Sequence, residues 1–404
     1  MFPVASLSTI LILPLLIAVS AIEVGNSPIT LPIARRLTIS DGPISLLQYD
    51  KARVAALKNI STSSHASSTP VINFAAGYVA AVKIGSPANT YNLIVDTGSS
   101  NTWVGAGAAY VKTSTSVNTG QPVGVIYGSG SFSGTEYTDT VSFGSGLTIT
   151  KQSIGVASTA AGFVSVDGIL GLGPVGLTKG SLKNSPKVTI PIVTENLHSE
   201  GIIPEMVVGV SFEPTTSQTV TNGELIFGGT DAAKYTGSIA YTPITTTYPA
   251  SSYWGINESI TYGSTTILSS TVGIVDTGTT FLFIATDAFT RYQSATGASI
   301  DSATGLLLIS SAQYKALKNL DFHIGSATYS LTPNAQIWPR SLNTYLGGSS
   351  GAIYLIIHDI GTPSGQGFDF INSYTFLERF YSVFDTTNSR VGFAKTKFTD
   401  ATTN

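Results

Sequence analysis

The sequence predicts a mainly β protein built from two related, β-barrel-like lobes that face each other across a cleft. The first observation is a repeat: the pattern IVDTGS at 94–99 returns as IVDTGT at 274–279. The second is a succession of short β-type runs separated by glycine-rich turns, with 41 glycines among 404 residues. The third is the scarcity of helical patterns. Together these observations favour two copies of one β architecture.

The first 21 residues have the pattern of a signal peptide. An apolar run from Leu7 to Val19 leads into small residues, with Val19 and Ala21 at the −3 and −1 positions of a cleavage site. The run is short for a membrane span, and no second apolar stretch occurs at 398–404. The interpretation is a secreted, extracellular protein without a membrane anchor.

Residues 22–65 differ from the rest of the chain in charge. They contain five Lys or Arg and three Asp or Glu, whereas the remainder contains 15 and 20. The stretch 45–58 predicts a helix, and a Ser/Thr-rich linker follows at 61–70. One interpretation is a disordered N-terminal tail. The other is a basic prosegment whose cations, Arg53 or Lys58, neutralise an acidic cleft.

The rest of the chain divides into two lobes, 66–237 and 238–404, each with one copy of the repeated turn. Strands are predicted over 78–84, 91–95 and 137–143, the last followed by a turn at 144–146. Helices are predicted at three places, 191–199, 286–295 and 311–318.

The repeated turn predicts a carboxylate at the end of a buried strand in each lobe. Two apolar residues precede both Asp96 and Asp276. Gly98 and Gly278 let the turn adopt backbone angles that a side chain would resist. Carboxylates brought close together do not both ionise easily, so such a pair can serve as acid and base in one reaction.

A hydroxyl follows each of these glycines. Ser99 and Thr279 stand where they can donate a hydrogen bond to the carboxylate and favour its charged form. In a single Asp-Thr-Gly turn this would be ordinary turn chemistry. Its duplication is what indicates a catalytic pair.

YGSG at 127–130 predicts the tip of a β-hairpin, with apolar residues before it and Phe132 after it. A phosphate-binding loop is the competing interpretation. The glycine spacing does not match a dinucleotide motif, and no lysine follows as in a P-loop. A mobile hairpin that closes over a ligand is therefore favoured.

Composition excludes several other kinds of site. The net charge is −3 without a basic cluster, which argues against nucleic acid as a partner. The chain has no cysteine, hence no disulfide and no thiolate metal site. The four histidines stand far apart, so no metal site is expected, and no cofactor is implied.

The motifs resemble, in order and spacing, those of the pepsin-like aspartic proteases. They are DTGSSNTW at 96–103, YGSG at 127–130, DGILG at 167–171, DTGT at 276–279 and FYSVFD at 380–385. The resemblance covers about 71–395 and is closest to the cysteine-free secreted fungal enzymes. It implies a pepsin-like fold and a monomeric acid endopeptidase, made as a zymogen. Its own prosegment would inhibit it, and a water between Asp96 and Asp276 would cleave polypeptides.

The resemblance also assigns roles to individual residues. Thr97 and Thr277 would reach across to the backbone of the opposite lobe, and Asp96 would be the ionised member of the pair. Residues expected in the flap or against substrate are Tyr127, Gly128, Ser129, Trp103, Phe132, Ile169 and Phe281. Apolar pockets imply large hydrophobic residues on both sides of the scissile bond.

Two finer expectations concern this flap. The Trp103 indole N–H is placed to donate to the Tyr127 hydroxyl. Ser129 stands where some fungal relatives carry an aspartate and accept lysine before the cut, so no marked lysine preference is expected there.

One segment departs from the family pattern. INS at 371–373 replaces the usual two apolar residues and glycine behind the second turn. A buried Asn372 needs a hydrogen-bond partner, and Ser373 is expected to crowd the turn beneath Asp276. Elsewhere, Asn257 lies in an Asn-Glu-Ser sequon and is a glycosylation candidate if exposed.

Two alternatives remain open. A catalytically inactive pepsin-fold binding protein would keep the cleft, but such relatives generally lose a catalytic Asp or the flap tyrosine, and this chain keeps all three. A glycosidase with two carboxylates is the other. Its acids do not usually come in duplicated Asp-Thr-Gly turns, and the chain has only three tryptophans.

Overall fold

The structure is a computed structural model that describes residues 28–39, 46–58, 74–144 and 146–404. The predicted signal peptide at 1–21 and the predicted linker at 61–70 lie outside the described residues. Within the described part the protein is mainly β, as predicted. None of the helices in these ranges combines the length and apolar character that a membrane span requires.

The first half of the chain contains ten strands and two α-helices among the described residues. The strands are β1 (Ile29–Ile39), β2 (Phe74–Ile84), β3 (Asn89–Asp96), β4 (Trp103–Val104), β5 (Val117–Ile126), β6 (Ser131–Gly144), β7 (Leu147–Ala161), β8 (Gly168–Gly171), β9 (Val207–Ser211) and β10 (Thr219–Phe227). The helices are α1 (Leu46–Lys58) and α2 (Val193–Ser199).

The second half supplies the remaining described elements. The strands are β11 (Thr236–Pro243), β12 (Gly255–Tyr262), β13 (Thr265–Asp276), β14 (Leu282–Ile284), β15 (Ser299–Ile300), β16 (Leu307–Ile309), β17 (Leu320–Ile324), β18 (Ala327–Leu331), β19 (Ile353–Tyr354), β20 (Ile357–Asp359), β21 (Phe370–Ser373), β22 (Phe380–Asp385) and β23 (Arg390–Lys395). The helices are α3 (Thr286–Thr296), α4 (Ser311–Ala316) and α5 (Tyr374–Leu377).

All the predicted strands and helices are present, with boundaries that shift by a few residues. The helix predicted over 45–58 is α1, and the three later helical predictions correspond to α2, α3 and α4. Strand β1 is one element that the sequence did not reveal. It lies in the segment assigned to the prosegment, and it pairs antiparallel with β2 on one side and β10 on the other.

A sheet of 13 strands runs from one lobe into the other. Its order is β11-β23-β22-β9-β10-β1-β2-β3-β8-β4-β7-β6-β5, and a seven-stranded sheet, β18-β17-β12-β13-β21-β14-β20, forms most of the second lobe. The lobe boundary predicted near Gly237 falls inside β11, which belongs to the shared sheet. The two halves of the chain therefore meet through continuous backbone hydrogen bonding.

The same local arrangement occurs in both lobes and positions the repeated turns. In the first, β3 pairs parallel with β8, which puts Asp96 opposite Gly171. In the second, β13 pairs parallel with β21, which puts Asp276 opposite Ser373. Strands β4 and β14 then return antiparallel to β8 and β21. The sequence repeat is thus a structural repeat, and both turns open towards the interface between the lobes.

Candidate active site

Both repeated aspartates lie at the end of a buried strand, as the sequence predicts. Ile94, Val95, Ile274 and Val275 are packed in the interior of their lobes, and Asp96 and Asp276 are each 0 % exposed. Apolar strand residues hold the backbone in place, so the following turn presents the carboxylate at a fixed position.

Each carboxylate accepts two hydrogen bonds from its own turn. Gly98 N donates to Asp96 Oδ1 at 2.9 Å and Ser99 Oγ donates to Asp96 Oδ2 at 2.5 Å. The second turn repeats this arrangement with the Gly278 amide at 2.9 Å and the Thr279 hydroxyl at 2.5 Å from Asp276. The predicted hydroxyl donors are confirmed, and such bonds favour the charged carboxylate.

Glycine is required at both turns, but for space and not for unusual backbone angles, so the prediction from the sequence is wrong on this point. Neither Gly98 nor Gly278 has a positive φ. A Cβ at Gly98 would lie 2.6 Å from Asp276 Oδ1, and one at Gly278 would lie 2.5 Å from Asp96 Oδ1. Each glycine therefore makes room for the carboxylate of the opposite lobe.

Thr97 and Thr277 join the two turns. Each Oγ1 accepts a hydrogen bond from the backbone N–H of the other threonine at 3.0 Å. Each hydroxyl then donates to a backbone carbonyl of the opposite lobe, Thr97 to Val275 and Thr277 to Val95. The predicted cross-lobe contact is observed. It fixes the separation of the aspartates, because all four residues are buried and hydrogen-bonded.

Arg53 of α1 lies between the two aspartates. Its Nη2 donates to Asp96 Oδ1 at 2.6 Å and to Asp276 Oδ1 at 3.1 Å, and its Nε donates to Asp276 Oδ2 at 3.0 Å. Of the two cations considered from sequence, Arg53 is thus the one on the carboxylates. Lys58, the last residue of α1, instead contacts Ile360 and Thr362.

The electrostatics of the two aspartates differ because Arg53 contacts them unequally. Burial raises the pKa of Asp96; the Arg53 charge opposes this effect and the neighbouring Asp276 adds to it. Burial acts in the same direction on Asp276, but the charge and hydrogen bonds of Arg53 outweigh it and lower the pKa of that carboxyl. Arg53 therefore acts on both members of a coupled pair, and the order of ionisation that the resemblance implies for the dyad without α1 stays a prediction.

The predicted hairpin is formed by β5 and β6 and closes on α1. Tyr127 N donates to Gly130 O at 2.7 Å across the tip. Gly128 has φ +75°, and a Cβ there would lie 2.2 Å from Ala52 O and 2.6 Å from the Ala56 methyl group. Small residues on one face of α1 thus let the hairpin tip approach the helix, and glycine is required at 128 for both its φ and this contact.

The aromatic residues predicted near the cleft form one cluster in the first lobe. Tyr127, Trp103, Phe132 and Ile169 pack together, with the Trp103 and Phe132 rings stacked at 4.3 Å. The Trp103 and Tyr127 rings lie 6.4 Å apart, but no hydrogen bond of normal geometry joins the indole N–H to the hydroxyl. Burial raises the pKa of Tyr127 well above its usual range and the Trp103 N–H opposes this effect, so the two groups interact as expected, although without a hydrogen bond of normal geometry.

Phe281 lies in the second lobe, beside a residue that the sequence did not single out. Asp50 of α1 accepts hydrogen bonds from Thr280 N at 3.0 Å and Phe281 N at 2.8 Å. Burial raises the pKa of Asp50 to about 8. The helix therefore contacts both the carboxylates and the backbone of the second catalytic turn.

The departure at 371–373 is accommodated by hydrogen bonds. Asn372 Nδ2 donates to Glu258 Oε2 at 2.6 Å, as expected for a buried amide. Ser373 Oγ lies 2.9 Å from Thr375 Oγ1, which donates to Thr280 O at 2.9 Å. The crowding expected from Ser373 is not seen, because its hydroxyl extends this chain of contacts to the catalytic turn.

Glu258 introduces a pH dependence of stability. Burial raises its pKa to about 8, and the Asn372 bond only partly opposes this. The folded state then holds a proton that the unfolded state loses above its ordinary pKa, so stability falls as the pH rises from about 5 to 8. Glu258→Gln keeps a bond to Asn372 and is expected to reduce that fall by a few kcal/mol.

The measurement is the thermal midpoint of wild type and variant between pH 4 and 9, with the exposed Glu205→Gln as the matched control. Glu136 in the first lobe, whose pKa burial raises to about 7, will leave part of the fall in place. Parallel curves for Glu258→Gln and wild type would contradict the assignment.

In the described parts of the chain, no three His, Asp or Glu side chains are grouped so as to hold a metal ion. The site itself presents two buried carboxyl groups with hydroxyl and amide groups around them.

Comparison with known proteins gives a consistent picture. Residues 77–396 match the family described as eukaryotic aspartyl protease. Polyporopepsin of Irpex lacteus is 64% identical over 340 residues, which is 84% of this chain and 100% of that protein. Pepsin A of Sus scrofa is 31% identical over 338 residues, 78% of this chain and 80% of the other. The crystal structure of the aspartic proteinase from Irpex lacteus matches with a TM-score of 0.82 and 57% identity, covering 94% and 100% of the two chains.

Proposed function

Because this chain belongs to the eukaryotic aspartyl protease family, we propose that it is a secreted acid endopeptidase made as a zymogen. It would cleave polypeptides between large hydrophobic residues with a water molecule activated by Asp96 and Asp276. Both carboxylates come from one chain, so a monomer suffices.

One observation carries the mechanism: a single nitrogen, Arg53 Nη2, lies within hydrogen-bond distance of Oδ1 of both aspartates. The space between the two carboxylates therefore fits a single small polar group, and a water molecule is of similar size. The ionised carboxylate would take a proton from that water as it attacks the peptide carbonyl. The protonated carboxyl would give its proton to the carbonyl oxygen, and a proton then passes to the leaving nitrogen. Aspartic proteases are the standard example of such a coupled pair.

The same contact supports inhibition by the prosegment. In this arrangement α1 lies over the dyad, the hairpin tip packs on α1, and Arg53 occupies the space between the carboxylates. A peptide could not reach Asp96 and Asp276 until α1 leaves. The precursor would therefore be inactive while its N-terminal segment remains bound.

The activity is tested with the secreted, processed protein on a denatured protein substrate between pH 2 and 8. We expect hydrolysis with an acid optimum, complete inhibition by a statine-type transition-state analogue, and cuts mainly between large hydrophobic residues. A mixed peptide library should show few cuts after lysine, because Ser129 supplies no carboxylate. A folded, processed protein without hydrolysis would favour the binding-protein alternative.

Processing of the precursor is expected to be at least about tenfold faster at pH 4 than at pH 7. Arg53 lowers the pKa of Asp276 while it is bound, so its release raises that pKa and takes up a proton. Protonation of Asp276 therefore favours release of α1 in acid. Asp50, whose pKa burial raises to about 8, gives up a proton on release and opposes this effect, so the expected difference rests on Asp276 and on the acid optimum of the cleavage itself. The measurement is the rate at which purified precursor shortens, with pepstatin-treated precursor as the control for other proteases. Equal rates at the two pH values would contradict this model of activation.

Asn257 is proposed as a glycosylation site on the secreted protein. Its side chain is exposed on β12, so the sequon is accessible on the folded surface. A mass shift that disappears in Asn257→Gln would establish the modification.

A further inference from the structure

Helix α1 contacts the cleft at a series of points in chain order. Asp50 lies on the backbone of Thr280 and Phe281, and Arg53 lies on the dyad. Beyond these, Leu57 O accepts a hydrogen bond from Tyr253 Oη at 2.7 Å. The contacts of the helix thus pass in chain order from the backbone after the second catalytic turn, over the dyad, to Tyr253, and Lys58 is the last residue of this series.

A set of oxygen atoms holds the ammonium group of Lys58 at that end. Its Nζ donates to Thr362 Oγ1 and to Ile360 O, the latter at 3.4 Å. The carboxylates of Asp359 and Asp369 are close enough to act on its charge. Lys58 is only partly buried, and this partial burial lowers its pKa while the two carboxylates oppose the effect. A lysine remains protonated at acid pH in such a setting.

The site is held in place by contacts that do not involve Lys58. Thr286 N donates to Thr362 O at 2.9 Å, and Ile360 N donates to Ile284 O at 2.9 Å. Asp359 Oδ1 accepts from Thr286 Oγ1 at 2.6 Å and from Gly361 N at 2.8 Å. The segment 359–362 is thus fixed to β14 and the start of α3, so its acceptors should keep their positions when α1 leaves.

We propose that, once the prosegment has left, the site of Ile360, Thr362, Asp359 and Asp369 binds the cationic side chain of a substrate lysine or arginine. This inference rests on the proposed function. The Lys58 site, as we call these four residues, offers a carbonyl and a hydroxyl oxygen that accept hydrogen bonds from an ammonium or guanidinium group. Its two carboxylates attract the cation by their charge rather than by direct contact.

The position of the preferred residue follows from the geometry of α1. Five residues separate Arg53 from Lys58, which is about 7.5 Å along a helix. An extended peptide covers that distance in two to three residues at about 3.3 Å each. For a substrate that runs in the same direction as α1, the basic residue is therefore the second or third on the carboxyl side of the scissile bond.

The test uses pairs of fluorogenic peptides that differ only in Lys against norleucine, scanned over four residues on each side of the scissile bond. We expect kcat/KM to be about fivefold higher with Lys at the second or third position on the carboxyl side. Thr362→Val removes one acceptor at nearly constant volume and should reduce the ratio to about twofold or less. The matched control is Thr290→Val, an exposed residue of α3, which should leave the ratio unchanged.

A ratio of one or less at both positions, a preference confined to the amino side, or a ratio unaffected by Thr362→Val would overturn the proposal. The same peptide pairs with a statine in place of the scissile bond are titrated by calorimetry, and the Kd ratio is expected to match the kinetic ratio. This second readout needs no catalysis. Cleavage without a Lys preference refutes the Lys58 site alone, whereas absence of cleavage with a Lys preference in Kd refutes the proposed function alone.

Discussion

Asp96→Asn and Asp276→Asn are each expected to lower kcat by about 10³- to 10⁵-fold. Each carboxyl is 0 % exposed and held by its own turn, so no neighbouring group can take over its proton transfer. Asparagine keeps the shape of the side chain and removes the acid–base function. The two single variants and the double variant should lose about the same activity, because the dyad acts as a unit.

The measurement is the initial rate on a fluorogenic peptide at acid pH, with circular dichroism and thermal midpoints to verify folding. Asp321→Asn on β17 is the matched control and should stay within about twofold of wild type. Retention of more than a tenth of the activity by either dyad variant would exclude the two-carboxylate mechanism. Because α1 covers the dyad in the precursor, the variants are compared after the N-terminal segment has been removed.

Much of this site was predictable because its interactions are local in sequence. The donors to Asp96 and Asp276 come from two and three residues further along the chain, so the repeated turn contains its own hydrogen bonds. The strand leading into each turn is recognisable from its apolar residues. Duplication of the pattern then indicates two equivalent lobes.

The parts that escaped prediction depend on contacts between distant residues. Strand β1 buries every second residue, namely Leu31, Ile33, Arg35 and Leu37. The charged Arg35 interrupts the alternation of apolar residues from which a buried strand face is predicted. Arg35 is tolerated inside because it lies beside Glu378, with 3.5 Å between Nε and Oε1, and donates to Thr215 O. No local pattern reveals a partner more than 300 residues away.

The choice between Arg53 and Lys58 shows the same limit. Both lie on the predicted helix, and α1 buries Asp50, Arg53, Val54 and Leu57, which share one face at helical spacing. Because this buried face contains two charged residues, the sequence does not show the apolar face that identifies an amphipathic helix. Helical geometry alone would select the face, but only the folded cleft shows that this face covers the dyad.

Arg53→Met is expected to destabilise the precursor by about 3–5 kcal/mol at neutral pH, because two buried carboxylates lose their only cation seen in the described structure. Methionine retains most of the aliphatic volume, so the change is chiefly electrostatic. The precursor should then unfold or open at lower temperature, and it should be processed faster than wild type at pH 5–6. Arg53→Lys should lie between the two, since one ammonium cannot supply the paired contacts of Nε and Nη2.

The control for this experiment is Arg36→Met, which removes a half-buried cation of the same segment, one that donates to Asn92 Oδ1 at 3.0 Å. It should change the thermal midpoint of the precursor far less and leave the pH of processing nearly unaltered. Processed enzyme from all variants has the same sequence, so any difference in its activity would point to incomplete removal of the segment. An Arg53→Met precursor that matches wild type in both stability and processing would mean that the dyad is already protonated beneath α1. Inhibition would then rest on steric cover by the helix and the hairpin, without a contribution from charge.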